Sequence, residues 1–232
     1  MNATTSSRER ILGRIRKATA GGNPAAYESI PRLYDRHGKM QLEQRIALMA
    51  ERLVEYGAEV VECDPADLIA TIAARLESSG RHVIAAPEGL PAEWLISGYS
   101  WRVDHGLSYA EIEGAEGVVT AASAAIADSG TIVLHHGPAE GRRVLSLLPD
   151  CHLCILRTSQ IVETLPEYFD LFPTPPTLAT YISGPSATAD IEMTRIKGVH
   201  GPRHLNVILV RDTTSTSGKL VSMQAAGQAG TP

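Results

Sequence analysis

The sequence predicts an α/β fold built on a mainly parallel β-sheet. Segments with helical periodicity alternate with short apolar segments rich in Val and Ile, and Gly or Pro stands at many of the boundaries. Such alternation is typical of βαβ units, in which helices cover both faces of a parallel sheet. The chain has 232 residues, which is within the range of one α/β domain with a substantial core.

The first half of the chain carries this pattern. Apolar residues spaced four and three apart over 42–56 predict a core-facing helix that ends at Gly57. Asp64 and Pro65 form an N-cap and a first-turn proline, and they predict a second helix that ends at Gly80. Strands are expected at 58–63 and 82–86, and a short helix at 91–96.

From residue 116 to 134 the chain is rich in small residues and has no helical period. We expect short strands there, joined by a turn at 128–130, because small side chains let backbones or a ligand approach closely. An Ala-rich helix over 121–127 is the alternative. The expected strands are Val118–Thr120, Ala124–Ala127 and Ile132–Leu134. A helix over 141–148, a strand over 152–156 and a helix over 161–172 should follow.

One domain is expected, with an appendage at each end. Ser6 and Glu9 form a capping-box pattern before an apolar stripe, which predicts an amphipathic N-terminal helix. Because this segment is also rich in Arg, Ser and Thr, a transit peptide is the alternative. The expected parts are the helix and an extended arm (1–38), the α/β domain (39–210) and a mobile tail (211–232).

Composition and charge argue against several classes of function. The formal net charge of −5 speaks against nucleic-acid binding, and no apolar run is long enough for a membrane helix. The cysteine count is odd and no signal peptide is evident, so we expect a cytoplasmic protein. Cys151 and Cys154 should lie on opposite faces of a strand, and no second pair completes a metal site. We therefore expect this chain to bind no metal or cofactor.

The first candidate site is the SGPS loop (183–186). We predict that Ser186 caps a short helix, whose free N–H groups would favour an anion. We expect the loop at the carboxyl ends of the strands, where α/β sheets bind ligands. Asp190 is a candidate catalytic group, although Ser186 and Asp190 are equally well explained as helix caps. The expected anion-binding residues here are Ser183, Gly184, Ser186, Thr188 and Glu192.

The second candidate site is the HGPR turn (200–203). His200 is suited to proton transfer near neutral pH, and Arg203 to pairing with a carboxylate or phosphate. The alternative for His200 is that it fixes the turn by bonding a nearby carbonyl. Asp128, at the turn before Gly130, is a further candidate acid. The remaining expected anion-binding residues are Gly130, Thr131, Arg142, Gly201 and Arg203.

Four segments together resemble the LutC/YkgG family of LUD-domain proteins. They are AIADSGTIVL (125–134), GRRVLSLLPDCH (141–152), SGPSATADIE (183–192) and GVHGPRHLNVILV (198–210). The resemblance implies a Rossmann-like α/β sandwich similar to the sugar-phosphate isomerase and CoA-transferase superfamily. It also implies a subunit of a system that oxidises L-lactate to pyruvate, in which partner subunits carry the iron–sulfur clusters and this chain carries none.

Three functions are open from the sequence. The chain could serve as the non-cluster subunit of a lactate utilisation system, where it binds a small carboxylate or phosphate or docks its partners. It could instead be a free-standing enzyme acting on a sugar phosphate or a CoA-linked small molecule, by analogy of fold alone. The third hypothesis is a non-catalytic binding or scaffold module.

Overall fold

The protein is described here by a computed structural model that covers residues 6–22, 27–174, 176–189, 195–197 and 201–212. The chain divides into two compact units, Met1–Asp35 and Arg36–Pro232. In the first unit, helix α1 (Ser7–Thr19) begins with the expected capping box. Ser6 Oγ accepts a hydrogen bond from the Glu9 N–H, and the Glu9 carboxylate accepts one from the Ser6 N–H. The N-terminal helix is therefore confirmed.

The second unit contains the sheets. Its helices are α2 (Leu42–Glu55), α3 (Leu68–Ser79), α4 (Tyr109–Glu113) and α5 (Leu165–Leu171). Its strands are β1 (Glu59–Cys63), β2 (Val83–Pro87), β3 (Ser100–Asp104), β4 (Gly117–Ala121), β5 (Ala124–Ile126), β6 (Thr131–Leu134), β7 (Cys151–Arg157), β8 (Ile161–Val162), β9 (Thr180–Ile182), β10 (Ala187–Ala189), β11 (Arg195–Lys197) and β12 (His204–Val210).

Six parallel strands form the main sheet, in the order β1-β12-β7-β4-β2-β3. Both of its faces are covered. One face packs against α3 through a cluster that includes Leu68, Ile72, Leu76, Val119, Ile155 and Ile208. The other face packs against α2 and a second, four-stranded sheet (β8-β5-β6-β9) through a cluster that includes Ile46, Met49, Leu53, Ile132, Leu156 and Val207. The predicted α/β class with a mainly parallel sheet is confirmed.

The main sheet has a topological switch point between β2 and β4. The chain leaves β2 to form β3 on one side of it, whereas the chain that leaves β4 first forms β5 and β6 of the second sheet and returns to the main sheet as β7 on the other side. Loops that depart in opposite directions open a crevice at the carboxyl ends of the two strands, and open α/β sheets bind ligands in such crevices. The fold therefore provides one favoured place for a ligand, independent of any motif.

The predicted helix after Ser186 is wrong. Residues Ala187–Ala189 form strand β10, which pairs antiparallel with β11. The Ser186 N–H donates a 2.8 Å hydrogen bond to the carbonyl of Pro202 and so does not begin a helix. Pairing with a later segment overrides the local capping signal, because a strand ladder satisfies the same backbone groups.

Other predicted helices are shorter than expected. Segment 141–148 contains only a 3₁₀ turn, Arg143–Ser146, and segment 91–96 contains only Ala92–Trp94. Segment 161–172 begins with β8, and α5 starts later because Thr164 caps it with Glu167 at the third position. The Ala-rich alternative over 121–127 is also wrong, since β5 pairs there with β6 and β8 and its alanines are buried. The three strands that were expected between residues 116 and 134 are present as β4, β5 and β6.

The two residues that follow β12, Arg211 and Asp212, form ion pairs with other parts of the domain. Arg211 bonds the carboxylates of Glu43 and Glu62, and Asp212 accepts a hydrogen bond from Arg157 at 3.2 Å. The rest of the expected tail lies outside the described residues. Within the described ranges, no helix is long and apolar enough to cross a membrane.

Candidate functional site

The SGPS loop and the segment that leads into β12 lie side by side. Their backbones are joined by the Ser186–Pro202 hydrogen bond. A Cβ on Gly201 would lie 3.4 Å from the Ser186 Cβ, which is an ordinary van der Waals contact. Gly184 has a φ of +113°, and a Cβ there would lie 2.6 Å from the Cβ of Tyr56, next to the end of α2. Gly184 therefore lets the SGPS loop pack on the end of α2 where a larger residue would not fit.

A chain of hydroxyl groups connects the SGPS loop to the turn before β6. Thr131 Oγ1 lies 2.7 Å from Ser183 Oγ and 2.8 Å from Ser129 Oγ. Thr131 and Ser183 were both predicted from the sequence as anion-binding residues. They are 52 residues apart in the chain, and the structure brings them into direct contact. Because each hydroxyl both donates and accepts, these bonds fix the position of the loop.

A cavity of about 340 Å³, called here the SGPS cavity, lies beneath the two loops. Its walls come from the SGPS loop, Gly201, Pro202 and the 3₁₀ turn Arg143–Ser146, and its floor is formed by His152 and Leu205. These two floor residues stand at the second positions of β7 and β12. The cavity therefore lies at the amino ends of these strands, and not at the carboxyl ends where we expected the loop.

His152 is the polar residue at the floor of the SGPS cavity. Its side chain is buried, and Nε2 lies 2.7 Å from Thr120 Oγ1 on the neighbouring strand β4. Burial lowers the pKa of His152 to about 4, because the charged imidazolium would lose its hydration. The ring is therefore neutral at physiological pH, and a neutral ring has one donor and one acceptor nitrogen.

Arg143 is the cation at the edge of the SGPS cavity. Its side chain is exposed and has no hydrogen-bond or ion-pair partner among the described residues. No Asp or Glu belongs to the described lining of this cavity. A guanidinium without a competing carboxylate can form a two-point contact with an incoming carboxylate or phosphate.

Arg142, which was predicted from the sequence to bind an anion, forms an ion pair with Asp104 outside the SGPS cavity. Its Nε and Nη2 donate to the two carboxylate oxygens of Asp104 at 2.8 and 2.7 Å, and Nη2 also donates to the carbonyl of Leu107. The Asp104 side chain is only 4 % exposed, and the Arg142 bond holds the pKa of Asp104 below its usual range. Arg142 therefore stabilises the loop after β3, and the neighbouring Arg143 is the arginine that faces the SGPS cavity.

A second, larger cavity of about 830 Å³ lies at the carboxyl ends of β2 and β3 and is called here the switch-point cavity. Its described lining consists of Glu88, Gly89, Asp104, His105, Gly106, His136, Gly137, Pro138, Gly141, Arg142, Arg143 and Leu178. Arg143 thus borders both cavities. The Gly89 N–H after β2 donates to the carbonyl of Pro138 and the Ala121 N–H of β4 donates to that of Ala139, so the loop after β6 covers the carboxyl ends of β2 and β4.

His136 is strained within the switch-point cavity. It has a φ of +58°, a conformation that costs a residue with a Cβ about 1–2 kcal/mol. Its ring holds the loop in place: Nδ1 lies 2.9 Å from the carbonyl of Gly141, and Nε2 lies 2.8 Å from Thr180 Oγ1. Since a carbonyl can only accept, Nδ1 carries the proton. Strain of this kind is concentrated at ligand-binding sites.

Other residues predicted as site residues either do not line the two cavities or lie outside the described residues. Arg203 bonds Asp150, whose other oxygen accepts a hydrogen bond from Arg81. Asp128 is exposed beside α2, and Gly130 packs against the Cβ of Arg52 in that helix. His200, Asp190 and Glu192 lie outside the described residues, and Thr188 is described only as part of β10. The catalytic assignments of His200, Asp190 and Asp128 therefore stay predictions.

The cysteines are free thiols. Cys151 and Cys154 are buried in β7, and burial raises the pKa of Cys154 to about 12, so this thiol is a poor nucleophile and metal ligand. Among the described residues, no group of three or more His, Cys, Asp or Glu side chains is arranged to hold a metal ion. The expectation that no metal binds stays a prediction for the whole chain.

Sequence comparison places these features in a known family. Residues 46–210 match the model of the LUD domain. A Lactate utilization protein C from Deinococcus radiodurans is 37 % identical over 90 % of this chain and 97 % of its own length. Another, from Bacillus velezensis, is 28 % identical over 91 % of this chain and 99 % of its own length.

A solved structure supports the same relationship. The crystal structure of a DUF162 family protein from Deinococcus radiodurans superposes with a TM-score of 0.64 at 33 % identity, covering 74 % of this chain and 99 % of that one. The LUD-domain match includes β4 to β9 and β12, and therefore the strands and loops that form both cavities. This chain belongs to the LUD-domain family.

Proposed function

We propose that this chain acts in lactate utilisation as the non-cluster subunit of a system that oxidises L-lactate to pyruvate, and that its SGPS cavity binds a small carboxylate. The observation that carries the proposal is the near full-length similarity to two proteins named Lactate utilization protein C. Because the similarity spans at least 90 % of this chain and at least 97 % of each relative, it extends beyond the LUD domain that they share.

The SGPS cavity has the properties of a site for a small monoanion. Its volume of about 340 Å³ is at the lower end of the range for ligand pockets and is ample for a molecule of three or four carbons. Arg143 supplies one unpaired positive charge, and the neutral His152 supplies a hydrogen-bonding group without a charge. A carboxylate on the guanidinium and a neighbouring hydroxyl or carbonyl oxygen on the ring would satisfy both groups.

The electrons of the oxidation would leave through partner subunits. The described part of the chain offers no set of cysteines for an iron–sulfur cluster, since Cys151 and Cys154 are buried on a strand and Cys63 is separate. We therefore place the clusters on the partners. Free buried thiols also suit a reducing compartment, and we place the protein in the cytoplasm.

The test is lactate-dependent dye reduction by the cluster-bearing partner subunits, with and without this chain. We expect activity to require the chain, and Arg143→Gln to lower it strongly while Arg157→Gln, whose side chain faces neither cavity, leaves it unchanged. Full activity of the partners alone, together with no association between them and this chain, would contradict the proposal.

A further inference from the structure

We propose that helix α1 of one copy of this chain binds in a groove on the domain of a second copy, so that two copies exchange their N-terminal helices. The proposal goes beyond the role in lactate utilisation and does not depend on it. It is based on two exposed surfaces of the chain that are complementary in their apolar pattern and in their charge.

Helix α1 has an apolar stripe that stays exposed in the single chain. No residue of α1 is buried, and Ile11 and Ile15 are 59 % and 53 % exposed. Together with Leu12 they lie on one face, because residues three and four apart along a helix are neighbours. A helix of 13 residues is marginally stable in water, and most helices gain their stability by packing an apolar face on another surface. We therefore assign the cover of this stripe to another molecule.

The apolar stripe of α1 is bordered by basic side chains. Arg10, Arg14 and Lys17 are spaced four and three residues apart, so they form a row beside the stripe. Arg10 donates a hydrogen bond to Ser7, and in the described part of the chain none of the three forms an ion pair. The helix has five basic residues and one acidic residue, a formal charge of +4. Since the whole chain carries −5, the rest of it carries −9.

A groove between α2 and the edge strand β1, called here the α2–β1 groove, offers the matching surface. Its volume is about 840 Å³, and its apolar lining consists of Ala50, Val54, Val60 and Val61. Val54 is 58 % exposed, although it is a large apolar residue in the middle of this lining. The groove therefore presents an apolar floor to the solvent.

The charge of the α2–β1 groove is opposite to that of α1. Among the described residues its lining contains no Lys or Arg but three carboxylates, Glu51, Glu55 and Glu62. Glu51 forms no ion pair with any described residue, and Arg211 is shared between Glu62 and Glu43. Carboxylates thus outnumber the cations that pair with them, and the groove keeps a negative charge that attracts a basic helix.

On each of the two helices a charged row stands next to an apolar row. The neighbouring pairs are Arg10–Ile11 and Arg14–Ile15 on α1, and Ala50–Glu51 and Val54–Glu55 on α2. The charged residue comes before the apolar one on α1 and after it on α2. In parallel helices such rows lie on the same side of the contact, as the e and g positions do in parallel coiled coils. A parallel approach therefore packs the apolar rows together and brings the arginines to the glutamates.

The ion pair that Glu55 already forms does not block this approach. Glu55 bonds Arg52 at 2.8 Å, and the side chains of both residues are more than one third exposed. Exposed ion pairs contribute little to stability, so Glu55 can exchange Arg52 for an arginine of α1.

A second copy of the chain is the occupant that completes both surfaces at once. Reciprocal exchange of α1 gives a closed two-fold dimer with two identical contacts, which is the commonest form of assembly for soluble proteins. The linings of the α2–β1 groove and the SGPS cavity share no described residue. The exchange therefore uses none of the residues of the proposed carboxylate site.

Sedimentation velocity of the full chain over a range of concentrations tests the exchange. We expect a dimer, and we expect Ile15→Asp and Val54→Lys each to weaken it at least tenfold, because each places a charge in the apolar contact. Leu33→Asp and Ile69→Lys are the matched controls, since both residues are exposed and lie outside α1 and the groove. Both controls should dimerise as the wild type does. Circular dichroism checks that each variant is folded.

A mixture of the two interface variants shows which surfaces meet. In the mixture, the intact helix of Val54→Lys can bind the intact groove of Ile15→Asp, so one of the two contacts is restored. We expect a mixed dimer that neither variant forms alone. A contact of helix with helix, or of groove with groove, would not be restored by mixing.

Four outcomes would overturn the proposal. The first is a wild-type chain that stays monomeric, and the second is a dimer that neither variant weakens. The third is a mixture that stays as monomeric as each variant alone. The fourth is a monomeric chain that binds vesicles containing phosphatidylglycerol but not vesicles of phosphatidylcholine alone, which would assign the basic helix to a membrane surface. Pyruvate binding to Ile15→Asp, which should equal that of the wild type, separates this test from that of the lactate role.

Discussion

His152 Nε2 lies 2.7 Å from Thr120 Oγ1 within the main sheet, where neither side chain is exposed to solvent. This pair places a neutral imidazole at the floor of the SGPS cavity, where burial lowers the pKa of the ring. The ring is held there by strand pairing, since β7 and β4 are adjacent and parallel. The floor of the proposed carboxylate site is therefore as rigid as the sheet itself.

The buried His152 makes folding stability depend on pH. The unfolded chain takes up a proton near pH 6.5, whereas the folded chain takes it up only near the lowered pKa of about 4. The contribution of the neutral His152 to the free energy of unfolding is therefore fully present above the unfolded pKa of about 6.5. It is lost as the pH falls toward 4, by about 2 kcal/mol at pH 5. Urea denaturation at pH 8 and pH 5 should show this loss.

The His152→Gln variant isolates this contribution. Glutamine keeps a hydrogen-bonding group for Thr120 but does not titrate. We expect the variant to be less stable than the wild type at pH 8, with a stability that falls by about 2 kcal/mol less between pH 8 and pH 5. Equal pH dependence in the two proteins would contradict a buried neutral ring.

The Arg142–Asp104 pair should stabilise the loop after β3. Asp104→Asn leaves Arg142 without its carboxylate, and we expect a loss of about 2 kcal/mol in the free energy of unfolding at pH 7. Because the pKa of Asp104 is lowered in the folded state, this loss should shrink as the pH falls through the acidic range of that pKa. Denaturant titrations of the wild type and Asp104→Asn at pH 7 and pH 3 measure the loss at each pH.

The exposed pair Arg36–Asp170 provides the control. Both of its side chains are about half exposed, so water screens their attraction. Asp170→Asn should change the stability much less than Asp104→Asn does. Similar losses from the two variants would show that burial of Asp104 adds nothing to its pair.

Gly184 should not tolerate a side chain. Gly184→Ala places a Cβ 2.6 Å from the Cβ of Tyr56 at a φ of +113°, and we expect a loss of at least about 2 kcal/mol. Gly57→Ala is the matched control, because Gly57 has a φ of +90° but open space around it. It should cost about 1 kcal/mol from backbone strain alone. Equal thermal shifts in the two variants would argue against the close packing of the SGPS loop on α2.

The two adjacent arginines should respond differently to substitution. Arg143→Gln removes the unpaired cation, and we expect pyruvate to bind at least tenfold more weakly with little change in the thermal midpoint. Arg142→Gln breaks the contact with Asp104, and we expect a lower midpoint with little change in pyruvate binding. Calorimetry and thermal denaturation of both variants separate the roles; the reverse assignment would show that Arg142 is the anion-binding residue.

Part of the order of strands and helices could be predicted from the sequence, where it depends on local signals. The capping box at Ser6 and Glu9, the helix stop at Gly57 and the small-residue strands β4 to β6 are set by residues near in the chain. The helix predicted after Ser186 failed for the opposite reason. The segment that forms β10 finds its partner in β11, and no local pattern shows that pairing.

The site could be predicted only in part. The sequence brought together Ser183, Gly184, Ser186 and Gly201, and these residues do line one cavity. It could not distinguish Arg142 from Arg143, because the difference lies in Asp104, which is 38 residues earlier in the chain. It also missed His152, which stands in an apolar strand and faces the cavity only because β7 begins beneath the SGPS loop.

The role in lactate utilisation can be tested most directly by growth of a bacterium that lacks its own lactate utilization protein C. We expect this chain to restore growth on L-lactate as the sole carbon source. Two variants, each expressed at wild-type level, should fail: Arg143→Gln, which removes the cation of the SGPS cavity, and Ala187→Phe, which adds a large side chain to its lining. Growth on pyruvate should be unaffected in every strain. Failure of the wild-type chain to restore growth on lactate, although folded and expressed beside the partner subunits, would contradict the proposed function.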